Sequence, residues 1–157
     1  MIANQFAWLG LVLCAISTAL GGDRPRVAAV KLNLAALDYA QELIKQGRII
    51  ADRKGSWGRD QPSAENENEF IRIHGFGEYA KWHLGVDERH AENTKSRYKF
   101  PYGDLKNMHR CALLAVRSRA RQYGHSEIET AATKLLNEMM SSKMSSEQVN
   151  STVHPTR

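Results

Sequence analysis

The densest run of chemically able side chains lies between Lys95 and Arg121. Lys95, Arg97 and Lys99 alternate with Tyr98, Phe100 and Tyr102. In an extended segment this alternation sends cations to one side and rings to the other. Phosphates are met by cations and bases by stacking faces, so the pattern suits nucleic acid. A half-buried strand with its rings inward and its cations in water has the same pattern. Downstream, Lys106, Arg110, Arg117 and Arg121 fall within a stripe of about 60° on a helical wheel, opposite the apolar, core-facing arc of Leu105, Met108, Ala112, Ala115, Val116 and Tyr123. These seven cations form the candidate anion or nucleic-acid set. Arg119 falls inside the apolar arc. A cation buried there needs a partner, for which Glu78, Asp87 and Glu129 are the candidates. Arg119, His83 and His109 are the candidate buried polar residues.

No catalytic constellation can be assigned. The histidines are His74, His83, His90, His109, His125 and His154, and none forms an HExxH motif or a His-x-x-x-His pair. A fold could gather His83, His90 and Cys111 around a metal, but no ligand spacing supports this. The expectation is therefore no metal, no cofactor and no catalytic residue. Gly75-Phe76-Gly77 lacks the strand, the third glycine and the lysine of a phosphate loop. An enzyme would need a concave pocket that gathers His83, His109 and Arg119.

Charge is segregated along the chain. The net charge is +5, yet residues 60–94 carry three basic and eight acidic side chains, and residues 95–121 carry eight basic and one acidic. Either the two blocks attract each other within the fold, or the basic block binds an external anion. Length and composition (157 residues, 42% hydrophobic) suit one domain and exclude a wholly disordered chain. Two cysteines exclude a disulfide scaffold.

The elements that must position these groups read as helices. Asn33 caps a helix from Leu34 that Gly47 stops, and residues 48–51 are extended. Ser63 caps a second helix to about His74. Gly77 to Leu84 forms further helical turns, which Gly85 stops. Phe70, Phe76, Tyr79 and Trp82 supply core volume. Phe100-Pro101-Tyr102-Gly103 is a turn signal, and Asp104 caps the longest helix, about 105–123. Ser126 and Glu129 form a capping box before an amphipathic helix with Ile128, Ala131, Ala132, Leu135, Leu136 and Met139 on one face. The expectation is a mainly α, small single helical domain over 30–140, with one short extended aromatic/basic segment. Residues 141–157 form a disordered tail.

Phe6 to Leu20 is an apolar run without a preceding Lys or Arg. It is short for a membrane span. Residues 1–29 are either a signal-like leader or a start-site extension, so the expected compartment is the cytoplasm, or the exterior or a membrane tether if the leader is used. Cys14 belongs to this leader, which leaves Cys111 alone in the domain.

The succession Glu78-Tyr79-Ala80-Lys81-Trp82-His83-Leu84-Gly85-Val86-Asp87, then Glu92-Asn93-Thr94-Lys95-Ser96-Arg97-Tyr98-Lys99-Phe100-Pro101-Tyr102-Gly103-Asp104, then His109-Arg110 and Ser118-Arg119-Ala120-Arg121-Gln122-Tyr123 is distinctive. It resembles a family of small uncharacterised prokaryotic proteins, over about residues 30–140. The resemblance implies no established activity and assigns no functional residue. The sequence thus favours a small non-enzymatic interaction module with a protein partner or self-association. The alternative is nucleic-acid binding through the basic 95–121 block.

Overall fold

The structure, a computed structural model, describes the backbone of residues 30–152 and the side chains of residues 30–144. The expected leader lies outside the described residues. In chain order the elements are β1 (Val30–Leu32), α1 (Leu34–Lys45), β2 (Ile49–Ile50), α2 (Trp57–Asp60), α3 (Ala64–Ala80), β3 (His83–Asp87), a 3-10 turn (Lys95–Arg97), β4 (Tyr98–Pro101), β5 (Met108–His109), α4 (Arg110–Gln122) and α5 (Ser126–Thr152). Strands β1, β3 and β4 form an antiparallel sheet in that order, and β2 pairs with β5 in parallel. The fold is mixed α/β, which corrects the expectation of a mainly α domain.

The corrections share a physical cause. β3 is the central strand, and His83, Leu84, Gly85 and Asp87 are all buried. A strand covered on both faces shows no polar alternation, so its sequence does not announce it. Gly85 looks like a helix stop but serves close packing. A Cβ there would lie 2.7 Å from Phe100 Cδ2 and 2.8 Å from Val30 Cγ1. The extended aromatic/basic segment is shorter than the alternation implied, because residues 95–97 form a 3-10 turn and the strand begins at Tyr98. The expected turn at 100–103 is the exit from β4, with Phe100 at φ 62°. The expected long helix starts at Arg110. Asp104 Oδ1 accepts from the Lys106 and Asn107 N–H groups and closes a local turn instead of capping a helix. Lys106 therefore lies off the helix.

The caps of α1 and α3 agree with expectation. Asn33 Oδ1 accepts from Ala36 N, and Asn33 Nδ2 donates to the carbonyls of Ala80 and His83, which ties α1 to the start of β3. Ser63 caps α3, and the non-helical backbone of Gly75 (φ 79°, ψ 170°) breaks it into two helical stretches, as expected from the stop after His74. Ala36, Ala40 and Leu43 of α1 pack with Leu113, Val116 and Ala120 of α4 and with Ile128, Ala132 and Leu135 of α5. Trp82, Leu84, Tyr102 and Met108 complete this core. α5 runs to Thr152, through much of the stretch expected as a disordered tail. A helix already nucleated against a core propagates at low cost. From Lys45 to Glu78, by contrast, no residue is buried. This strap of β2, α2 and most of α3 meets the rest of the fold through half-buried side chains such as Ile49 and Phe70 and through polar contacts. Among the described residues no helix is long and apolar enough to cross a membrane.

Candidate functional site

The β2–β5 pairing is two residues long, yet it sets Ile49 opposite Met108 and Ile50 opposite His109. Met108 N donates to the Arg48 carbonyl at 3.0 Å, and the Arg48 guanidinium donates to the Lys106 carbonyl. This alignment delivers Asp52 to the N-terminus of α4. Its Oδ1 accepts the Cys111 N–H at 2.6 Å, satisfying a free donor of the first turn. Its Oδ2 lies 2.8 Å from His109 Nδ1 and 2.7 Å from Cys111 Sγ. A carboxylate only accepts, so in a neutral His109 ring the proton sits on Nδ1. His109 Nε2 is buried and has no hydrogen-bond partner among the described residues, although Asp104 Oδ2 lies 3.4 Å away. Asp60, at the end of α2, brings a fourth donor; one ligand atom from each of Asp52, Asp60, His109 and Cys111 lies within 4.8 Å of the others. Asp60 is also paired with Arg59 at 2.9 Å. The Trp57 ring flanks His109 at 5.8 Å.

Burial pushes the Asp52 carboxyl up, but hydrogen bonds from the Cys111 thiol, His109 and the Cys111 N–H outweigh it and hold the group below the ordinary aspartate value. Burial, then the Asp52 carboxylate, pushes the Cys111 thiol up to about 12. A buried thiol held protonated beside a carboxylate is a poor nucleophile. The thiol donates to Asp52 and not to the imidazole, so the three residues do not form a nucleophile–base–orienter chain. What they offer is one sulfur, one nitrogen and carboxylate oxygens from three separate chain segments.

A second feature lies beside this cluster. Most described Lys and Arg side chains have a carboxylate within 4.0 Å, among them Lys31, Arg59, Arg72, Lys81, Arg89 and Lys134. Eight described cations have no carboxylate partner: Arg48, Arg53, Lys54, Lys99, Lys106, Arg110, Arg117 and Arg119. They come from two segments, 48–54 and 99–119, that the β2–β5 pairing and the α2–α4 contact bring together. Alongside runs a groove of about 620 Å³ lined by Trp57, Gln61, Lys99, Phe100, Arg119 and Tyr123, among others.

The sequence-selected residues divide accordingly. Lys95 is tied to Glu67 at 2.8 Å, and Arg97 lies 3.5 Å from Glu92 and donates to the His90 carbonyl. Arg121 lies 4.0 Å from Glu129. Lys99, Lys106, Arg110 and Arg117 keep no carboxylate partner, and Arg110 donates to the Asp52 carbonyl. Arg119, expected to be buried, is exposed. It is set about 60° from Val116 on the wheel, at the rim of a buried arc of Ala112, Leu113, Val116 and Ala120. The partners considered for it are engaged elsewhere: Glu78 with Lys81, Asp87 with Arg89 and Glu129 with Arg121. His83 is buried against Tyr79, with Nδ1 3.0 Å from the Tyr79 carbonyl, and His90 faces Asp87, so neither joins Cys111. Sequence reasoning missed Asp52, Asp60, Asp104, Arg48, Arg53 and Lys54. The His109-x-Cys111 spacing was the one available signal for the cluster.

Compared with family models, with curated proteins and with solved structures, this chain matches none. The family resemblance rests on the motif block alone.

Proposed function

We propose that the protein binds single-stranded nucleic acid along the face formed by residues 48–54 and 99–119. The observation that carries this reading is the distribution of unpartnered cations. Carboxylates pair with most of the other described cations, whereas these two segments carry eight cations without a carboxylate partner, of which Lys99 and Arg119 line the groove. The groove adds the second requirement of a single-strand site, since the rings of Trp57, Phe100 and Tyr123 line it together with Lys99 and Arg119. Tyr123 is 62% exposed, which leaves its ring free for stacking. The sequence-based attribution of binding to the whole 95–121 block is thereby narrowed: Lys95, Arg97 and Arg121 are paired with carboxylates, Lys99 and Arg119 line the groove, and Arg110 and Arg117 lie on the other side of α4. Binding through a protein partner or self-association is the second reading, supported by exposed Leu34, Ile73, Met140 and Met144. These residues are spread over three helices, so the cationic face is the better-defined surface.

The test uses the full chain and a fluorescent oligonucleotide about the length of the face. Affinity should fall steeply with salt, by about 0.7 in the log–log slope for each phosphate contacted on a single strand. The double variant Lys99→Gln, Arg119→Gln should lower that slope by about 1.4. Tyr123→Ala should weaken single-strand binding by about 1–3 kcal/mol and leave the slope unchanged. Absence of binding at low salt, or an affinity indifferent to salt, refutes the reading.

A further inference from the structure

We propose that Asp52, His109 and Cys111, with Asp60 as an exchangeable fourth donor, bind one transition-metal dication of the zinc class. A sulfur, an imidazole nitrogen and carboxylate oxygens are the donor set such an ion takes, and hard cations such as magnesium do not. Around Asp52 Oδ2, His109 Nδ1 lies at 2.8 Å and Cys111 Sγ at 2.7 Å. Tetrahedral coordination with bonds of about 2.0–2.3 Å sets neighbouring donors about 3.3–3.6 Å apart. Seating the ion therefore opens the two contacts by less than an ångström, about what small side-chain rotations provide. Asp52 Oδ1 is fixed by the Cys111 N–H, so Oδ2 is the oxygen directed at the other donors.

An independent observation comes from the far side of the imidazole. His109 is 5% exposed, and its Nε2 lacks a hydrogen-bond partner while facing Asp104 Oδ2 at 3.4 Å. With the ring proton on Nδ1, a bare buried nitrogen confronts a carboxylate, an unfavourable arrangement. When Nδ1 coordinates a metal, the ring proton moves to Nε2 and Asp104 accepts it. This is the carboxylate–histidine–metal arrangement that orients such ligands. Binding also turns the Cys111 thiol into a thiolate, with its proton released to solvent. The ion balances Asp52 and that thiolate. Asp60 shares its carboxylate with exposed Arg59, so the fourth position is the one that water or an anion can enter.

The test is a cobalt(II) titration of the full chain after chelator treatment, with circular dichroism confirming that it is folded. One equivalent should bind and give a thiolate-to-cobalt charge-transfer band together with the intense visible bands of four-coordination, and zinc should abolish both. Asp104→Asn, which leaves every ligand in place, should weaken metal affinity about 10–100-fold. Cys111→Ser should lose the charge-transfer band. Because Cys111 is buried and this variant can fail for structural reasons, the wild-type titration is decisive. Folded wild-type protein that takes up no cobalt overturns the proposal. Cobalt bound without the thiolate band overturns it equally, since the ion is then elsewhere.

Discussion

Acidification should weaken the fold through His83, and the size of the effect follows from its surroundings. The ring is 3% exposed, packs 4.4 Å from the Tyr79 ring, and has Nδ1 3.0 Å from the Tyr79 carbonyl. A carbonyl only accepts, so Nδ1 carries a proton. Burial opposes a second proton and lowers the pKa from 6.5 to about 4, with only partial compensation from the Tyr79 carbonyl and Glu67. Between these two values the unfolded chain binds the proton that the folded chain refuses. The contribution of the neutral ring is therefore complete above about pH 6.5 and is lost as the pH falls toward 4. Between pH of about 7.5 and about 4.5 the linkage amounts to about 2–3 kcal/mol, a large share of the stability of a domain this size. Carboxylates titrate over the same range, so the assay is a difference. Urea unfolding of wild type and His83→Asn is followed across the range, the amide keeping a donor for the Tyr79 carbonyl. The wild type should be the more stable at neutral pH, and its advantage should shrink by about 2–3 kcal/mol by pH of about 4.5. An advantage that does not change with pH would refute the reasoning.

Two further substitutions probe the sheet. Gly85→Ala puts a methyl against Phe100, Val30 and Ile128 in the central strand and should cost about 1–3 kcal/mol by chemical denaturation. Asn33→Ala removes a helix cap and two donated hydrogen bonds and should cost about 2–3 kcal/mol, whereas Asn33→Ser, which keeps a capping oxygen, should recover about 1 kcal/mol of it.

The legibility of this chain depended on the distance over which each feature is determined. Asn33, Ser63, Gly47 and Gly124 act on their immediate neighbours, and the helix ends they mark are where local chemistry places them. β3 escaped because it is buried on both faces, so His83-Leu84-Gly85-Val86-Asp87 carries no periodicity to read. β1, β2 and β5 are two or three residues long, below the length at which any pattern exists. The start of α4 was misplaced because Asp104 has the chemistry of a cap but spends it on its own turn. Asp52 was invisible as a site residue because it works across 59 residues of chain, on Cys111, and only the β2–β5 register brings the two together. The cationic face was half legible: the basic block was plain in the sequence, but which cations would be consumed by Glu67, Glu92 and Glu129 was a matter of tertiary structure.

The strap from Lys45 to Glu78, without a buried residue, gives the protein an uneven distribution of local stability. Apolar burial secures the sheet and the α1, α4 and α5 core, so those parts open only when the whole domain unfolds. The strap draws little from burial and depends on a few polar fastenings: Asp52 to His109 and Cys111, Arg48 to Lys106, and Glu67 to Lys95. The strap should therefore open locally while the rest stays native, which native-state hydrogen exchange at its amides would read. Detachment would carry away Asp52 and Asp60 together with Arg48, Arg53 and Lys54, and leave His109 and Cys111 behind on β5 and α4. Both the donor cluster and three of the eight unpartnered cations thus depend on the strap staying in place.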